Sequence, residues 1–165
     1  MSREGRVERR SRLDAPAEAV WDRVITPPGI NHELMPLMRM TVPRGVEALD
    51  PATVPMGERL FRSWILLFGF IPFDYDDIGL VRFEPGRGFH ERSTMFTQRV
   101  WEHVRTLEPD GEGCVVTDRL RFEPRAAVPV PVVRRLVAAT FAHRHRRLGP
   151  TSAARRPERE PCGPA

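Results

Sequence analysis

The chain has no lysine: all 26 basic residues among its 165 are arginine. Asparagine occurs once, at Asn31, while proline reaches 17. This pattern reads as the codon bias of a GC-rich bacterial genome, so arginine abundance alone does not argue for nucleic acid. Cysteine is scarce too, with only Cys114 and Cys162. Two isolated cysteines without a leader sequence predict reduced thiols in the cytoplasm and no structural disulfide. Long apolar runs are missing. The longest, Trp64 to Phe73, is ten residues, against about 20 for a membrane-crossing helix. Met1 to Asp14 is rich in Arg and Glu and has no apolar segment of the secretory type. No C-x-x-C, G-x-S-x-G or phosphate-cradling glycine loop occurs.

What is present suits one globular domain, with 41% apolar and 29% charged residues. Charge is uneven. Residues 134–165 carry eight Arg and two Glu, so the rest of the +4 chain is net negative. We expect a single domain over residues 1–148 and a disordered basic tail over 149–165, where periodic apolar residues stop.

Punctuation divides the domain. Arg6 to Leu13 alternates as a strand near a sheet edge. Asp14 is read as the cap of a helix through Val20, Trp21, Val24 and Ile25, with Pro16 in its first turn. Thr26 to Gly29 is read as its stop, followed by a short helix from Ile30 to about Leu37. Strand-like runs then recur between Gly/Pro turns: Met38–Val42, Gly57–Phe68, Phe73–Phe83, Phe89–Phe96, Val100–Leu107 and Cys114–Phe122. Val132 to Leu148 closes the domain as an amphipathic helix with Val133, Leu136, Val137, Thr140, Phe141 and Leu148 on its apolar side. The expected fold is α+β: a curved antiparallel sheet of about seven strands, two short helices after the first strand, and a long C-terminal helix over the concave face.

Alternation assigns faces. In Cys114–Phe122 the inward set is Cys114, Val116, Asp118, Leu120 and Phe122, because the other face presents two Arg. Trp101, His103, Arg105 and Leu107 face the same way on the preceding strand. A hairpin pairing Leu107 with Cys114 sets His103 opposite Asp118, and a two-residue shift sets Arg105 opposite Asp118 instead. Extending the pairing adds Val81, Phe83, Phe89, Glu91, Ser93 and Met95. The inward surface is mostly apolar, with Glu91, Ser93, His103, Arg105 and Asp118 at its middle. Buried charges must be paired. One reading is therefore a structural network closing one end of a cavity. Another is the polar end of a ligand site, and a third is acid/base chemistry by Glu91, His103 or Asp118. Arg105 is predicted to lie inside, within hydrogen-bond reach of Glu91 or Asp118.

Three segments resemble the SRPBCC superfamily, the helix-grip proteins that include START-related lipid-binding domains, pollen-allergen-like proteins and aromatic polyketide cyclases. They are DAPAEAVWDRV (14–24), FTQRVWEHVRTLEPDGEGCVVTDRLRFEP (96–124) and FAHRHRRL (141–148), within a resemblance spanning about residues 6–148. The resemblance implies a deep apolar cavity between sheet and long helix, without implying one chemistry. The expected function is binding or carrying a small hydrophobic molecule, such as a lipid, isoprenoid or polyketide-like ring system. The alternative is a cyclase/dehydratase-type enzyme using the same cavity. Candidate ligand-binding residues are Phe83, Glu91, Ser93, Met95, Trp101, His103, Arg105, Asp118 and Leu120. A third alternative is an interaction module recruiting an acidic partner through the basic helix end.

No cofactor is expected. No metal is expected either, because His143 and His145 stand i, i+2 on a helix, about 200° apart. FDYDD (73–77) lacks the pattern of a calcium loop and reads as a solvated hairpin start. The arginines near 144–147 read as compensation of the helix C-terminus; neither nucleic-acid binding nor stable membrane insertion is expected. The run 64–73 reads as a strand buried on both faces or as a hydrophobic lip in which Phe68, Phe70 and Phe73 gate the cavity. No feature specifies the ligand, pathway or oligomeric state.

Overall fold

The computed structural model describes residues 3–48, 56–125 and 128–149. Most of the expected basic tail, from residue 150 onward and including Cys162, lies outside the described residues. Chain order is β1 (Gly5–Leu13), α1 (Ala17–Val24), α2 (Pro27–Leu34), β2 (Met38–Met40), β3 (Arg59–Leu67), β4 (Ile71–Glu84), β5 (Gly88–Met95), β6 (Gln98–Asp110), β7 (Gly113–Pro124) and α3 (Val130–Arg147). The strands form one curled antiparallel sheet in the order β1-β7-β6-β5-β4-β3-β2. β1 is an edge, as its short alternating segment suggested. α3 packs on β1, β7 and α2.

Helix starts differ from the sequence reading. Asp14 does not cap α1; its carboxylate accepts from Arg12 Nη1 at 2.8 Å, and Pro16 occupies the cap position. The Pro27–Pro28 pair opens α2 rather than only ending α1. Proline fits the first helical turn, where no N–H is needed, and the Thr26 hydroxyl accepts from Gly29 N at 3.2 Å. α2 therefore runs three residues ahead of its expected position.

Registers also settle. Arg105 stands opposite Asp118 and His103 opposite Leu120, so the two-residue-shifted hairpin is the one formed. The turn is tight, with Asp110 pairing Gly113. In β5, Glu91 stands opposite His103 and Phe89 opposite Arg105, two residues from the expected pairing of Ser93 with His103 and Glu91 with Arg105. Such shifts keep every side chain on its face. One inward assignment fails. A bulge between Leu80 and Arg82 sets Leu80 opposite Glu91 and leaves Val81 outward, 46% exposed.

Two apolar groups pack on the helix side. Around α1, Leu13, Val20, Trp21, Val24, Leu107 and Val116 pack with Leu148. Under α3, Leu120 and Phe122 pack with Val133, Val137 and Phe141. The buried stripe of α3 is Val133, Val137, Phe141 and His145, an i, i+4 series. Leu136, expected on that stripe, is 64% exposed because it lies off this row.

Candidate ligand-binding site

Between the two apolar groups lies a buried ion network. Arg105 is 1% exposed and Asp118 0%. Arg105 Nε donates to Asp118 Oδ1 at 2.7 Å and Nη2 to Oδ2 at 2.7 Å. Its Nη1 and Nη2 also reach Glu33 Oε1 and Oε2, at 2.9 and 3.0 Å. Four of the five guanidinium N–H groups are thereby used on two planar acceptors. Gly88 in β5 lies against the Arg105 carbonyl, where any Cβ would overlap backbone. Arg144 of α3 adds a bond to Glu33 Oε2 at 2.9 Å.

Asp118 accepts two more bonds, from His103 Nε2 and His145 Nε2, each at 2.9 Å. A carboxylate only accepts, so Nε2 is the donor in both rings. His145 Nδ1 lies 2.9 Å from the Ser11 hydroxyl of β1. Burial pushes the Asp118 carboxyl up, but Arg105 and His103 overcome it and hold the group well below the usual carboxylate range. Burial likewise opposes ionisation of Glu33, and Arg105 and Arg144 bring it below its ordinary value. For Arg105, burial is outweighed by Asp118 and Glu33, so its pKa rises.

Arg105 therefore does lie inside, bound to Asp118, as expected. Glu91 is not its partner; Glu33 is. Glu33 and His145 were missed by the sequence reading. His145 had a signal, since it continues the stripe through Val133, Val137 and Phe141. Glu33 had none once α2 was displaced.

Glu91 and Ser93 belong to a second polar group. Ser93 Oγ donates to Glu91 Oε1 at 2.8 Å. Glu91 Oε2 faces His103 Nδ1 at 3.9 Å. Asp76 of β4, opposite Met95, completes the group beside Glu91 and Ser93. Its Oδ1 is buried without a partner. Burial first, then the facing Glu91, raises the Asp76 carboxyl well above its usual range. The FDYDD segment is thus not a solvated hairpin start. Alternation turns Asp74 and Asp76 to the helix side, and both are buried. Asp74 pins the β5–β6 turn, accepting from Phe96 N at 2.9 Å, Thr97 N at 3.3 Å and the Thr97 hydroxyl.

The remaining predicted residues separate. Trp101 sits against Phe122 and Phe141, with ring centroids 6.4 Å apart in each pair, and Leu120 packs with the α3 group. Phe83 packs on Trp21 at 5.1 Å, within the α1 group. His103 is held between Phe89 and Phe141, both at 5.1 Å. Met95 is buried with Ile78 and Leu80 but joins neither apolar group. These three share the helix-side face with Asp76, Glu91 and Ser93. At the opposite end, a surface groove of about 570 Å³ is lined by Glu18, Trp21, Asp22, Arg87 and Glu108, none a predicted site residue. Among the described residues no His/Cys/Asp/Glu group has metal-binding geometry, and no helix is long and apolar enough to cross a membrane.

A seven-stranded curled sheet gripping a C-terminal helix, with polar groups buried between them, is a helix-grip fold. Solved structures of this kind include CV1439 from Chromobacterium violaceum, with 15% identity, TM-score 0.67, and coverage of 87% of this chain and 94% of that one. A START superfamily protein from Mycobacterium smegmatis has 14% identity and TM-score 0.65 over 87% and 93%. DynU16, of the dynemicin biosynthetic locus, has 16% identity and TM-score 0.56 over 87% of this chain and 46% of that one. The chain belongs to the domain family of unknown function DUF8410, whose profile matches residues 11–151. No curated protein matches the sequence.

Proposed function

We propose that the chain binds a small hydrophobic molecule between the helix-side face of β3–β5 and α3. The observation that carries this reading is the wall formed by Ile78, Leu80 and Met95. It is apolar and outside both packed groups, and it borders Asp76, Glu91 and Ser93. An apolar wall with few convergent polar groups is the composition of small-molecule sites. START-like and biosynthetic-locus proteins among the similar structures are consistent with it. We assign the protein to the cytoplasm, in keeping with Cys114, a buried free thiol.

Native mass spectrometry of protein purified from a bacterial host, followed by titration with 1-anilinonaphthalene-8-sulfonate, tests this. A retained apolar molecule and saturable dye binding that Met95→Trp abolishes are expected. Dye binding unchanged by Met95→Trp, with no retained molecule, sinks the proposal.

A second reading, acid/base catalysis on such a ligand, is favoured by the Asp76–Glu91 carboxyl pair beside an oriented imidazole. Its test is deuterium exchange at the α-carbon of a bicyclic ketone, 2-tetralone, followed by NMR. An exchange rate equal in wild type, Asp76→Asn and Glu91→Gln removes it.

A further inference from the structure

One end of the molecule is apolar. The β3–β4 hairpin tip, the β5–β6 turn and the start of α3 all lie there. This follows from the pairing of Leu67 with Ile71 and of Gln98 with Pro124, and from the bond of Phe96 N to Tyr75 O. The run 64–73 is consequently not a strand buried on both faces. It is a hairpin whose tip, Phe68-Gly69, has positive φ at both residues, 52° and 85°. A left-handed turn of this kind ordinarily takes Asn-Gly. A phenylalanine there is strained, and its ring is 59% exposed beside Phe70 at 72%. Phe73, Phe96, Val132 and Leu136 are also exposed around this end. The apolar side chains come from three separate projections rather than from one groove or one strand edge.

Among the described residues, Arg39 on β2, Arg125 after β7, and Arg134 and Arg135 on the first two turns of α3 form no ion pair. Acids near the same end are neutralised: Glu123 by Arg99 at 3.8 Å, and Glu4 by Arg6 and Arg121 at 2.7 and 3.0 Å. The far end mixes signs, with Glu18, Asp22, Glu108 and Glu112 around its groove beside Arg87 and the basic last turn of α3.

We propose that this aromatic, arginine-flanked end docks reversibly onto the surface of an anionic lipid bilayer. Protruding aromatic tips suit a fluid interface, which needs no matching shape. Arginines behind them, outside any ion pair among the described residues, are attracted to anionic headgroups. The site would then exchange its hydrophobic molecule with the membrane directly, although docking stands whether or not that ligand is bound.

Co-sedimentation with vesicles of 70:30 phosphatidylcholine:phosphatidylglycerol, and of phosphatidylcholine alone, is the test. Wild type should pellet with the anionic vesicles and be largely released by about 0.5 M salt, where exposed charges are screened. Phe68→Asn/Phe70→Ser should weaken binding at least tenfold while melting no lower than wild type, because asparagine accepts the turn conformation. Arg134→Gln/Arg135→Gln should weaken binding severalfold. Wild type remaining in the supernatant with both vesicles overturns the proposal. So does light scattering that finds a wild-type dimer and a monomeric Phe68→Asn/Phe70→Ser variant, which would assign the end to a second copy of the chain.

Discussion

The two halves of the sheet treat buried polar groups in opposite ways. Under α3, Asp118 receives four donors from β6 and α3, and Arg105 spends four N–H groups on two carboxylates. Under β3–β5, Asp76 lies beside another acid and a serine and keeps one buried oxygen without a partner among the described residues. A saturated network ties α2, β1, β6, β7 and α3 together. An unsaturated one holds polar capacity in reserve. Natural interiors rarely leave such capacity unused, so the contrast sets the half that ties the helices to the sheet apart from the half proposed above as a binding face.

Breaking the saturated half should cost most. Arg105→Ala strands Glu33 and Asp118 and should destabilise by about 3–5 kcal/mol, lowering Tm by roughly 10 °C in calorimetry. Replacing Arg105, Asp118 and Glu33 together by apolar residues of similar volume should recover much of that loss. A Tm change under a degree for Arg105→Ala would mean the network carries no stability. Its carboxylates also set the acid limit. Their folded pKa values lie below the unfolded ones, so their stabilisation is present above about pH 4 and lost as pH falls through the folded values. Arg105→Met should move acid unfolding, followed by circular dichroism, to higher pH.

Glu33→Gln removes one charged acceptor pair but leaves Arg105 on Asp118; about 1.5–3 kcal/mol is expected. An effect as large as that of Arg105→Ala would make Glu33 the centre of the network.

The unsaturated half should respond in the other direction. The Asp76 pKa is raised on folding, so its contribution is fully present below its unfolded pKa and lost as pH rises through the folded one. Asp76→Asn should therefore raise stability at pH 8 by about 1–2 kcal/mol, with no gain at pH 4, read by urea titration at both pH values. A loss at pH 8 would show Asp76 to be structural.

The smallest change expected is at the hairpin tip. Phe68→Asn should stabilise by about 0.5–1 kcal/mol through relief of the left-handed residue, visible as a Tm gain of a few degrees at most. A loss would mean that the ring packs in place.

The saturated half was also the more legible one. Alternation alone brought Arg105 and Asp118 to one face, because slips of two residues leave faces unchanged. The partners from helices were harder to reach. Glu33 depended on the start of α2, where two prolines read as a stop serve as a first turn. Asp76 was hidden by composition: three acids in FDYDD look solvated, yet strand alternation sends the middle acid inward and Asp77 outward to Arg62, at 2.7 Å. Val81 was misassigned because nothing in its neighbourhood announces a bulge.

Asp118 has a consequence for how such a chain can change over generations. Asparagine in its place would point an amide donor at a guanidinium or imidazole donor, and glutamate would add a methylene where no side-chain volume is free. Neither of the usual single-step neighbours fits, so the five-element clamp can be altered only by several simultaneous replacements. The wall of Ile78, Leu80 and Met95 carries no such lock. Each of its members can be exchanged singly for another apolar residue, so this face can drift in shape while the clamp beside it stays fixed.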